Sequence, residues 1–276
     1  MPDRQIFAHV PAVMLPGFLP ALGSLPVGVE LLIDHAALDP AFRPELERLA
    51  GELRRLRRPV KFHAPFSDLH PAGLDPEAVG LARRRVTAAL DLAPLFGVSA
   101  VVAHTAWDPD AHGLEREAWI RRAVPFWTEI GRLAEERGVG LALENVFDRD
   151  PELLALLLDR LPAAPFGINL DLGHWHAYSH ADLDAWVGRL GEKILSLHLH
   201  DNHGLADEHM ALGAGSIPWR ECFSRLRGLP LARMWTLENR SEADVRRSLA
   251  FLARESGISE FTGFAALPAN GALGAG

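Results

Sequence analysis

The chain has 276 residues, 48% hydrophobic and 23% charged, which is enough to bury a large core in one α/β domain. A formal net charge of −8 argues against a general electrostatic grip on duplex nucleic acid, which needs clustered Lys and Arg. A single cysteine, Cys222, excludes an internal disulfide and any Cys-rich zinc module, and with no signal-peptide pattern or membrane-length apolar run it predicts a cytoplasmic protein without a membrane partner.

Residues 5–10 (QIFAHV) read as a strand that contains His9. The apolar stretch behind it holds Pro11, Pro16, Pro20 and Pro26, which exclude a regular helix there and predict a packed connection. Residues 27–33 (VGVELLI) form a second strand, and Asp39-Pro40 opens a helix through Leu46, Leu49, Leu53 and Leu56. The same unit recurs along the chain. Strands are predicted at 60–65, 98–105, 139–146, 166–172, 194–200 and 234–239. Helices are predicted from Pro76 to Phe96, over 114–137, from Pro151 to Leu161, and over 181–190, 218–227 and 242–255.

Eight apolar strands, nearly all followed by a helix, predict a single (β/α)8 TIM barrel over 1–262, with a flexible Gly/Ala-rich tail at 263–276. An open doubly wound sheet is the alternative, but no Gly-x-Gly-x-x-Gly follows the first strand.

Ionisable residues fall where the strands end: His63, His104, Glu144, Asp171 with His174, His198 and Glu238. In a barrel those ends converge on one face, and burying so many ionisable groups there is costly without a shared cation. Glu144, Asp171, His198 and Glu238 make an oxygen-rich set suited to Mn²⁺, Mg²⁺ or Co²⁺ and acceptable to Zn²⁺. His63 and His104 extend it to a second centre with Glu144 as bridge. His174, Asp207 and His209 supply a third, more zinc-like one, so the ladder accommodates one to three divalent ions.

Other residues carry smaller expectations. Glu30 and Lys61 sit inside neighbouring strands and pair as a buried ion pair beneath the site. Trp107 and Trp175 follow candidate ligand histidines and are read as substrate-binding apolar walls, with helix-start packing as the alternative. His200 and Asp201 are read as groups that orient His198, and Gly213-x-Gly215 as a tight turn.

The motifs HAPF (His63), VVAHT (His104), ALENV (Glu144), LDLGH (Asp171, His174), HLHDN (His198), DEH (Asp207, His209), LGAG and TLEN (Glu238) occur in an order that resembles the xylose isomerase-like TIM-barrel superfamily. That superfamily holds sugar and sugar-phosphate isomerases and epimerases, and also endonuclease IV. The isomerase/epimerase likeness implies one divalent metal on Glu144, Asp171, His198 and Glu238. It also implies proton transfer through an enediolate with Glu144 and Glu238 as acid and base, and His174 on a substrate oxygen. The endonuclease IV likeness implies a trinuclear zinc or iron phosphoesterase that uses all nine positions, with His9 in AHV at the substrate. Ketose epimerases of this kind carry a substrate-binding arginine where this chain has none, between His198 and Trp219. A third reading is a metal-stabilised barrel that only binds. The expected partner is a small carbohydrate or phosphate ester; a homo-oligomer is left open.

Overall fold

The computed structural model describes residues 4–113 and 115–256; the expected tail at 263–276 and the domain end at 257–262 lie outside them. The strands are β1 (Gln5–Pro11), β2 (Gly28–Leu32), β3 (Val60–His63), β4 (Ala100–His104), β5 (Gly140–Glu144), β6 (Phe166–Asp171), β7 (Ile194–Leu199) and β8 (Met234–Leu237). Among the described residues they form one closed barrel, each strand parallel to its neighbours and β8 paired with β1. The strands are buried almost throughout, so they read as near-continuous apolar runs.

The helices are α1 (Leu15–Leu22), α2 (Arg43–Arg55), α3 (Pro76–Phe96), α4 (Pro109–His112), α5 (Arg116–Glu136), α6 (Glu152–Arg160), α7 (Leu172–Tyr178), α8 (Leu183–Leu190), α9 (Trp219–Leu226) and α10 (Glu242–Glu255). Their ends follow local chemistry. Asp75 caps α3 by accepting from the Glu77 N–H, and Gly97 ends that helix at φ +67°, a left-handed conformation that glycine adopts without strain. Ser241 caps α10 through the Asp244 N–H. α5 buries Trp119 and Trp127, and α8 buries Trp186, each on its apolar face. Among the described residues no helix is long and apolar enough to cross a membrane.

Three elements depart from the sequence expectation, one of them the four-residue α4 ahead of α5. The proline-rich stretch after β1 is helical, because Pro16 lies in the first turn of α1, where its missing N–H is not needed. Pro20 then removes only one internal bond. The third departure is α7, which starts directly from β6 with no loop between them. The Asp171 side chain accepts the His174 N–H and caps this seven-residue helix. Its brevity left no apolar period for the sequence to reveal.

Register sets the ladder. His104, Glu144 and Asn169 lie side by side across β4, β5 and β6, and Asp171, His198 and Thr236 across β6, β7 and β8. His9, Glu30 and Lys61 form a third row across β1, β2 and β3.

Candidate metal centre

The strand ends bring the predicted ligands together in three connected groups. In the central one, His198 Nδ1 lies 3.0 Å from Glu238 Oε2, 3.3 Å from Glu144 Oε2 and 3.6 Å from Asp171 Oδ2. The four donor atoms all lie within 4.8 Å of one another, close enough for one ion to sit about 2 Å from each, the length of a Zn–N or Zn–O bond. In the second group, His63 Nε2 and His104 Nε2 each stand 3.5 Å from Glu144, one on each carboxylate oxygen. In the third, the Asp207 Oδ2 atom is 2.8 Å from His209 Nε2 and 3.5 Å from His174 Nε2.

The opposite ring nitrogens are already spoken for. His63, His174 and His209 each donate Nδ1–H to a backbone carbonyl, of Ala64 at 2.8 Å, Asn145 at 2.9 Å and Glu238 at 2.9 Å. Their Nε2 lone pairs therefore face the carboxylates, the arrangement around a ligating imidazole. His198 is turned round: its Nε2 is held by Glu30, and its Nδ1 faces the group. Glu144 Oε1, His198 Nδ1, Asp207 Oδ1 and Glu238 Oε2 are buried without a hydrogen-bond partner. Orphaned donor atoms this close together fit a cation and fit no apolar core. His209 also sits at φ +54°, a strained conformation for a residue with a Cβ.

Charge follows the same geometry. Burial opposes an imidazolium at His198, but Glu144, Glu30 and Glu238 outweigh it and hold its pKa well above the ordinary value. His174 is likewise raised against burial, chiefly by Asp171, and His209 is raised to about 9 by Asp207 and Glu238. Burial would raise Glu144, yet His198 and His104 pull it well below the carboxylate range. Without a cation, these carboxylates hold protons on the imidazoles.

Several side chains beyond the predicted set complete the site. Asn145 accepts the Asp171 N–H and donates to its carbonyl, fixing the β6 end, while Asn169 donates to Glu144 Oε2 at 3.0 Å. Phe66 stacks on His104 with ring centres 4.4 Å apart, and Tyr178 leans on His174 at 6.1 Å with Phe147 beyond it. The aromatic surface at the mouth is thus Phe66, Tyr178 and Phe147. Trp107 instead stacks on His112 and packs against Trp119, beside a separate cleft of about 570 Å³. Trp175 donates to the Ala181 carbonyl and packs on the core. The only sequence signal for the replacement is the Phe that follows His63 by three positions in HAPF.

His9 faces Glu30 at 3.3 Å and Glu238 at 3.5 Å. Asp201 does not orient His198; it accepts the Gly213 and Ile217 N–H groups and the Trp219 indole, tying down the loop after β7. His200 lies against Asp171 at 3.2 Å and stacks on His209 at 4.3 Å. That position needs a glycine beneath it, since a Cβ on Gly173 would stand 1.9 Å from the His200 ring. Gly173→Ala is expected to cost about 1–3 kcal/mol of stability through overpacking and to lower bound metal. Thermal melts and elemental analysis test this; wild-type values in both would mean that His200 is free to shift.

A family model described as the xylose isomerase-like TIM barrel matches residues 27–255. The protein MJ1311 of Methanocaldococcus jannaschii is 28% identical over 209 residues, which is 73% of this chain and 71% of its own. The solved structure of a D-tagatose 3-epimerase-like protein superposes with a TM-score of 0.80 at 22% identity, over 91% of this chain and 96% of its own. The TTHB071 protein from Thermus thermophilus, solved after soaking with ZnCl2, gives a TM-score of 0.75 at 30% identity, over 92% of this chain and 98% of its own. With that match over most of its length, the chain belongs to the xylose isomerase-like TIM-barrel family.

Proposed function

We propose that the protein is a divalent-metal-dependent enzyme of the sugar isomerase/epimerase kind, acting on a sugar or sugar phosphate by proton transfer. The observation that carries this reading is the central group, in which Glu144 and Glu238 both face His198 Nδ1, at 3.3 Å and 3.0 Å. A cation bound there would polarise a carbonyl and its neighbouring hydroxyl, acidifying the C–H between them. Glu238 takes or returns the proton, because it is the one carboxylate of the group whose side chain keeps measurable exposure, 13% against 1% for Glu144. Glu144 is the partner carboxylate, steadied by Asn169. His174 offers a group to a substrate oxygen, and Phe66 and Tyr178 present ring faces to the apolar side of a sugar. The fold likeness to the D-tagatose 3-epimerase-like protein supports the same class.

A second reading, hydrolysis of a phosphate ester at a trinuclear centre, is favoured by a specific observation. His63, His104, His174, Asp207 and His209 add two further donor groups, and both oxygens of Glu144 face imidazoles, as a bridging ligand requires.

Metal content per chain, measured on protein purified without added metal, separates the two together with a His174→Ala/His209→Ala variant. One equivalent that persists in the variant, with solvent deuterium entering ketoses or ketose phosphates, is the expected result. Three zinc or iron equivalents falling by one in the variant, with phosphate released from esters, would replace isomerisation with hydrolysis.

A further inference from the structure

We infer that Glu30, held in place by Lys61 and Thr236, is a positioning residue that fixes His198 in its Nε2–H form and so dedicates Nδ1 to the cation; this rests on the metal-centre reading above. The inference starts from an asymmetry among the histidines. His63, His174 and His209 give Nδ1–H to backbone carbonyls and present Nε2. His198 does the reverse, and what its Nε2 meets is a carboxylate.

The two Glu30 oxygens lie 2.9 and 3.1 Å from His198 Nε2. Glu30 sits on β2, which is not a neighbour of β7, so it reaches His198 through the barrel interior. An ionised carboxylate can only accept, so the proton must stay on Nε2, whereas a hydroxyl or an amide would leave either tautomer open. An anionic acceptor behind an imidazole also raises its strength as a ligand.

Glu30 itself is fully buried, on the far side of His198 from the buried carboxylates Glu144 and Asp171, and needs support. Thr236 Oγ1 donates to it at 2.7 Å, and Lys61 Nζ lies 2.5 Å away as an ion pair without hydrogen-bond alignment. Lys61 is buried as well, its ammonium 5.6 Å from the centre of the Phe7 ring. The pair contributes no net charge, so the donors above it keep their full negative charge for the metal. The row His9, Glu30, Lys61 thus forms a floor that sets the direction of one ligand.

Two measurements test this. The first is long-range ¹H–¹⁵N NMR of zinc-loaded wild-type protein labelled in histidine, with His198 assigned through His198→Gln. Zinc on Nδ1 with a protonated Nε2 is expected, and zinc on Nε2 would overturn the inference alone. Absence of bound zinc by elemental analysis would remove the metal reading and the inference with it.

The second compares wild type with Glu30→Gln/Lys61→Met, neutral at the floor like the wild-type ion pair, with melts of the metal-free proteins as the control for folding. Gln matches Glu in size, but its amide leaves either His198 tautomer open. Zinc affinity is expected to be 10–100-fold weaker in the variant. Equal affinities would overturn the assignment, because the carboxylate would then not be what sets the ligand.

Discussion

Glu238→Gln is expected to slow solvent-hydrogen exchange into the substrate by 10²–10⁴-fold while leaving the fold and the metal content in place. The argument is geometric. Gln has the size of Glu and keeps one carbonyl oxygen for the donor group, but it cannot take a proton. Glu238 turns Oε2 to His198 at 3.0 Å and Oε1 to His9 at 3.5 Å, and its side chain keeps 13% exposure, so one oxygen stays on the centre while the other is held more loosely. Glu144 lacks that freedom, since it is fully buried and two imidazoles face each of its oxygens, and Glu144→Gln should therefore lose metal as well as activity. A factor of 10²–10⁴ corresponds to about 3–5 kcal/mol of barrier, far more than an altered surface charge supplies. Exchange at the wild-type rate in Glu238→Gln would remove this residue as the base. An unfolded variant would make the carboxylate structural and favour a barrel that binds without turnover.

The barrel was legible in the sequence because eight apolar runs recur, most of them with an ionisable residue at or just beyond their C-terminal end, and helices such as α3 and α10 carry a side-chain cap. Asp75 and Gly97 bound α3 as their chemistry requires. The clustering of the candidate ligands was legible for a related reason: His104, Glu144, Asp171 and His198 stand at or within one residue of strand ends, and parallel register carries them to one face. What escaped was everything decided by side chains meeting across the barrel. Glu30 reads as half of a local ion pair with Lys61, and nothing in the spacing of β2 and β7 says that it reaches His198. Asp201 and His200 are adjacent in sequence, yet one ties a loop while the other joins Asp171. Trp107 and Trp175 follow candidate ligand histidines by the rule that suggested a substrate wall, but Trp107 packs against buried Trp119 and the half-buried Trp175 donates to the Ala181 carbonyl. Phe66 forms the aromatic surface instead, because the turn after β3 folds it back over His104.

In the trinuclear reading, metal affinity at the third group is expected to rise by up to a hundredfold per pH unit between pH 7 and about pH 9. The cause is competition between the cation and a proton. His209 is raised to about 9 by Asp207 and Glu238 against the effect of burial, so below that pH its imidazole is protonated in the metal-free protein. Binding must displace that proton and the one that Asp171, Asp207 and Glu144 hold on His174, and two protons displaced give up to two decades per unit. Asp207 adds nothing to the slope, because His174 and His209 already hold its carboxyl far below this range. Stability of the metal-free protein runs the other way. A histidine whose pKa is raised on folding stabilises fully below its unfolded value near 6.5 and loses that contribution as pH climbs through 9. The loss from His209 alone is on the order of 3 kcal/mol. The metal-free Tm should therefore fall between pH 6.5 and 9 while the zinc-loaded Tm stays nearly level, and the gap between them should widen. Calorimetry of both forms across that range checks the sign directly. A gap that narrows with rising pH would mean that His209 is not displaced by the metal, and that the third group is an ion-paired network of Asp207 with its two histidines.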